Sequence, residues 1–97
     1  PQTYGVPVEE IERGIKSGVR KVNIDTDCRM AITGQFRRIA KENKAEFDPR
    51  KFLIPAMDEM TSLCRDRFER FGTAGHGSKI KVTSMDTMAE RYLADDL

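Results

Sequence analysis

Residues 19 to 24, Val19-Arg20-Lys21-Val22-Asn23-Ile24, are the one stretch patterned as a β-strand in a chain otherwise patterned for helix. That imbalance constrains the fold more than any other feature. A lone strand leaves its backbone N–H and C=O groups without ladder partners, and burying it in that state is costly. The strand needs neighbours that these 97 residues do not supply, so the expectation is that they form the end of a longer polypeptide.

The flanks fit that reading. Residues 1 to 6 read as a loop. Pro7 suits the first turn of a helix, and Glu9 and Glu10 favour its positive end. Val8, Ile11 and Ile15 recur at helical spacing, and Gly18 is placed to cap the helix end. Helix, glycine and strand in that order are half of a βα repeat and predict a parallel sheet.

After the strand the period changes. Cys28, Ala31, Ile32, Phe36, Ile39 and Ala40 share a helical face, with Asp27 as the expected N-cap and an end near Asn43 to Ala45. Asp48 caps a further helix with Pro49 at its first position. Pro55 predicts a break there and a new helix from Pro55. That helix carries Met57, Met60, Leu63, Cys64, Phe68 and Phe71 on its apolar side and stops at Gly72. A glycine-rich basic loop follows over 73 to 82. Ser84 then caps a last helix from Met85 to about Leu93, and Asp95-Asp96-Leu97 should fray.

Composition narrows the function classes. Lys+Arg 17 against Asp+Glu 16 gives a net charge of +1, so no global field draws the chain to nucleic acid or an anionic membrane. No apolar run approaches the roughly 20 residues of a membrane span. Cys28 and Cys64 form no CxxC pair and read as reduced core thiols of a cytoplasmic protein.

Several residues could carry chemistry. Strand alternation puts Asn23 and Asp25 on one side, opposite Ile24. An Asn amide can donate to an oxyanion, Asp25 can accept from a hydroxyl, and backbone N–H groups near Thr26 can meet a phosphate. The same residues can equally cap the next helix. Arg29 lies in a first helical turn, where a cation opposes the helix dipole, and Arg50 sits similarly after Asp48-Pro49. Both can fork onto phosphate oxygens or onto a nearby carboxylate. The loop Gly72-Thr73-Ala74-Gly75-His76-Gly77-Ser78-Lys79 is no Walker loop, since its Lys follows the Ser and no strand precedes it. The single His76 cannot build a zinc site and reads as exposed on a glycine hinge. Arg65, Arg67 and Arg70 alternate with Asp66 and Glu69, so that face reads as laced by i,i+4 pairs.

Three groups of residues carry a resemblance. They are Tyr4-Gly5-Val6-Pro7 with Gly14-Ile15-Lys16; Gly18 through Asp27 with Arg29-Met30-Ala31; and Phe47-Asp48-Pro49-Arg50 with Phe71-Gly72-Thr73-Ala74-Gly75-His76. Together they closely resemble class II fructose-bisphosphate aldolases, in order and in spacing. The resemblance implies an α/β fold, the C-terminal part of a (β/α)8 TIM barrel comprising the last strand with flanking and C-terminal helices. It implies zinc, bound by histidines upstream of this segment, and reversible cleavage of fructose 1,6-bisphosphate to dihydroxyacetone phosphate and glyceraldehyde 3-phosphate. By position, Asn23 would contact the enediolate region of the substrate. Asp25 and Thr26 would meet its hydroxyls and phosphate, and Arg29 the distal phosphate. Arg50 would reach that phosphate from a neighbouring subunit, which implies a homodimer or homotetramer. The 97 residues alone would bind no metal and be inactive. Tagatose-bisphosphate aldolase and a free-standing helical interaction module are the alternatives.

Overall fold

The computed structural model describes residues 5 to 95. Among these residues there are four α-helices, α1 (Val8–Lys16), α2 (Thr26–Glu42), α3 (Pro49–Arg70) and α4 (Met85–Leu93), and one 3₁₀ turn at Gly77–Lys79. The expected loop over 1 to 6 and the expected fraying of Asp96 and Leu97 fall largely outside the described residues.

The helix ends follow local chemistry. α1 closes on Ser17, and Gly18 turns the chain at φ +115°. The Gly18 N–H donates to the Ile15 carbonyl at 3.2 Å and the Val19 N–H to the Gly14 carbonyl at 3.0 Å. That pair of bonds is a Schellman closure, and the positive φ is why a glycine stands there. α3 ends by the same device. Gly72 has φ +76°, and Thr73 donates back to Phe68 at 2.9 Å. Asp48 caps α3 by accepting from the Arg50 N–H at 3.0 Å, with Pro49 in the first turn. Ser84 caps α4 by accepting from the Thr87 N–H at 3.1 Å.

Three expectations about the elements themselves need correction. The N-cap of α2 is Asp25, two residues before Asp27. Asp27 instead lies inside the first turn and reaches across to Arg67 on α3, at 3.8 Å. Second, Pro55 does not break the chain into two helices: α3 runs unbroken through it. A proline inside a helix loses one N–H bond and crowds the carbonyl four residues back, at a cost of about 3 kcal/mol. Packing against α2 holds the turns on either side, and Ala56, next to Pro55, is the buried hydrophobic residue at 1% exposure. Third, no strand forms among the described residues. Residues 19 to 25 are neither helix nor sheet. A ladder needs a second strand, and none of the described residues provides one.

The centre of the structure is an antiparallel pair, α2 on α3. The rings of Phe36 and Phe52 meet edge to face with centroids 6.4 Å apart, an arrangement that adds roughly 0.5–1.5 kcal/mol beyond burial alone. Gln35 Nε2 donates to Glu59 Oε2 at 3.2 Å. α1 is clasped to the end of α3 by Arg70, whose Nε donates to Glu12 at 3.1 Å and Nη2 to Glu9 at 3.1 Å. The basic residues of α3 thus reach off the helix rather than along it, which corrects the expected i,i+4 lacing. Their chief partners are Glu9, Glu12 and Asp27, with Asp66 also bonded to Arg67.

Candidate functional site

The extended segment between α1 and α2 has two faces. Val22 and Ile24 are half-buried and turn toward the helices, lining a hollow of about 610 Å³ with Ile15, Cys28, Leu63 and Phe71. Lys21, Asn23 and Asp25 are exposed. Lys21 Nζ donates to Asn23 Oδ1 at 2.8 Å, and its stem, with Arg20, also borders the hollow. The period-2 pattern therefore persists without a sheet. The apolar side rests on helices and the polar side is open.

Asp25 stands at the hinge between this segment and α2. Its carboxylate makes no capping bond to the helix backbone. It accepts instead from Arg29 Nε at 2.9 Å, one helical turn on. This contact answers the puzzle of a cation in a first turn, because Asp25 offsets the unfavourable helix dipole. The hydrogen bond Arg29 donates to Asp25, then the Asp25 charge, push the Arg29 pKa further up and keep the guanidinium charged. Thr26 opens α2 between them. Asn23, Asp25, Thr26 and Arg29 thus fall on one short run where a strand-like edge meets a helix N-terminus.

Arg50 lies elsewhere. Its guanidinium forks onto Asp48, with Nε to Oδ1 at 3.0 Å and Nη2 to Oδ2 at 2.7 Å. The bond from Arg50 pulls the Asp48 carboxyl below its usual pKa. α2 has 17 residues and is about 25 Å long, and α3 starts beside its far end. Arg50 is therefore roughly 20 Å from Arg29 within one chain. It does not join the Asn23–Arg29 cluster within one chain.

His76 is exposed, with Nδ1 3.3 Å from Lys79 Nζ. Among the described residues no group of three or more His, Cys, Asp and Glu side chains could hold a metal ion. The zinc that the resemblance implies finds no ligand set in them. Likewise no helix among the described residues is long and apolar enough to cross a membrane.

Sequence reasoning missed the Asp27–Arg67 bridge, which ties the start of α2 to α3. Both side chains are largely covered, Arg67 to 20% exposure. No local pattern in the sequence pairs these two residues, because the contact depends on how α2 and α3 align.

Comparison with known proteins gives these features a family. The pattern of "Fructose-bisphosphate aldolase class-II" matches residues 3–76, which includes every candidate residue above. A relative from Rhodobacter capsulatus, "Fructose-bisphosphate aldolase 2", is 75% identical over all 97 residues, which span 85% of that protein. "Fructose-bisphosphate aldolase 1" of Cereibacter sphaeroides is 73% identical over all 97 residues, here 27% of the relative. The "Fructose-bisphosphate aldolase" of a Nostoc strain is 57% identical over the same span, again 27% of its length. The chain thus covers about a quarter of the length of these two relatives. It belongs to the class II fructose-bisphosphate aldolase family.

Proposed function

We propose that these residues form the C-terminal part of a metal-dependent aldolase that reversibly cleaves fructose 1,6-bisphosphate into dihydroxyacetone phosphate and glyceraldehyde 3-phosphate. The observation that carries this reading is the two-faced segment at 21 to 25. In a (β/α)8 barrel one side of each strand packs on the surrounding helices and the other faces the axis. Val22 and Ile24 already rest on the helical layer, and Asn23 and Asp25 point the opposite way. Adding the missing neighbours would place Asn23, Asp25 and Thr26 at the mouth formed by the strand ends, where catalytic groups of such barrels gather.

Each residue then has a defined task. The Asn23 amide donates to the oxygen that gains negative charge as the carbon–carbon bond breaks, which makes it the catalytic group of this segment. Asp25 accepts from a substrate hydroxyl and orients Arg29. Thr26 and the positive end of α2 receive phosphate oxygens. Arg29 neutralises the distal phosphate. Arg50 reaches the same phosphate from the neighbouring subunit of a homodimer or homotetramer, exchanging Asp48 for phosphate oxygens. Zinc, held by histidines outside these residues, belongs to the same proposal for the whole protein, as does a cytoplasmic location, consistent with two free cysteines.

A free-standing helical module has no support in the relatives. The test is kcat/KM of the full-length protein on fructose 1,6-bisphosphate and on its tagatose epimer. Preference for fructose is expected. Equal or reversed preference would transfer the assignment to tagatose-bisphosphate cleavage, and no lyase activity on either would remove it.

A further inference from the structure

Cys28 and Cys64 stand outside every role assigned above, and the fold brings them together. In the antiparallel pairing of α2 and α3, Asp27 meets Arg67 and Gln35 meets Glu59. Cys28 and Cys64 fall between these two contacts in the same register. Both line the hollow behind the extended segment, and both are free and only half-buried. Burial first, then the charge and hydrogen bond of Cys64, push the Cys28 thiol above its ordinary pKa, which reports the same proximity.

We propose that Cys28 and Cys64 are a reversible disulfide site, closed by hydrogen peroxide, that staples the first turn of α2 to α3. Either sulfur can react first. With Cys64 as the attacking group, its thiolate attacks one peroxide oxygen, the O–O bond breaks, and a sulfenic acid and hydroxide result. The Cys28 sulfur then attacks the Cys64 sulfur. The S–S bond forms, the S–O bond breaks, and the leaving hydroxide takes the Cys28 proton as water. Two thiols are oxidised, and one peroxide is reduced to two waters. The staple lies one residue past Asp27 and just before Arg29, so closing it restrains the turn that carries Thr26 and Arg29. That kinetic consequence rests on the aldolase reading; the cross-link itself does not.

The full-length protein, reduced and then treated with hydrogen peroxide, is alkylated and digested with trypsin. Cys28 falls in the fragment 22–29 and Cys64 in 52–65. A linked pair of these two fragments, lost on adding dithiothreitol and absent in Cys28→Ser and Cys64→Ser, is expected. Recovery of both fragments alkylated, or of Cys64 as sulfinic acid with no linked pair, would overturn the proposal. A several-fold rise in KM for fructose 1,6-bisphosphate on oxidation, reversed by dithiothreitol and missing in both serine variants, is expected alongside. Linked fragments with unchanged KM would uphold the disulfide and count against substrate phosphate at the first turn of α2.

Discussion

Asp25 and Arg29 illustrate how one side chain sets the task of another. Arg29 is awkward at a helix start until Asp25 accepts from it, and the pair then presents a fixed cation beside the Asn23 edge. If Asn23 has the catalytic role proposed for it, removing its amide should act on the reaction more than on binding. We expect Asn23→Ala in the full-length protein to lower kcat by roughly 100-fold with a smaller change in KM. A change confined to KM would contradict its catalytic placement. Arg50 is a different case, since its fork is already satisfied by Asp48. If it serves a partner's phosphate, Arg50→Ala should lower kcat/KM by roughly 10- to 100-fold, the loss expected for a charged hydrogen bond. An unchanged kcat/KM would return Arg50 to a purely local role. These residues were legible in the sequence as types and positions. Their pairing was not, because Asp25 reads equally well as a helix cap and as a partner for Arg29.

Elements were legible where one or two residues decide them. Asp48, Ser84, Gly18 and Gly72 fix helix ends through bonds made within a turn, and the sequence placed all four correctly. The alternation of residues 21 to 25 survived even without a ladder, because the hollow rewards burying Val22 and Ile24. Pro55 was misread because its effect is decided by what lies across from it. The helix continues since α2 supports the turns around the missing bond. Pro55→Ala should restore that bond and raise stability by about 1–3 kcal/mol, read as a higher thermal midpoint of the full-length protein. A lower midpoint would mean the ring fills space that alanine leaves empty. Asp48 has a sign that can be worked out. Its folded pKa lies below the unfolded one, so its contribution is present above the unfolded carboxyl value and is lost as pH falls through the folded one. Amide exchange at the start of α3, referred to a common pH, should therefore quicken in acid. Asp48→Asn should flatten that dependence.

The whole molecule is long rather than round, at 60 × 34 × 26 Å with a radius of gyration of 18.9 Å. A compact chain of this length would have roughly 12–13 Å. Ile80, Val82, Met85 and Leu93 are more than three-quarters exposed, and Phe47 is 91% exposed. Such surface asks for cover, and the chain on its own should melt without a cooperative transition in calorimetry. A single sharp endotherm would show that the helical pair is self-sufficient. Within this open frame Arg70 stands out, since it grips Glu9 and Glu12 from 58 or more residues away. The grip moors α1 to the end of α3, the helix α2 packs on, so the extended segment is slung between two anchored posts. Because that knot is ionic and exposed, brine should loosen it, and the amides of residues 19 to 25 should exchange faster as salt rises.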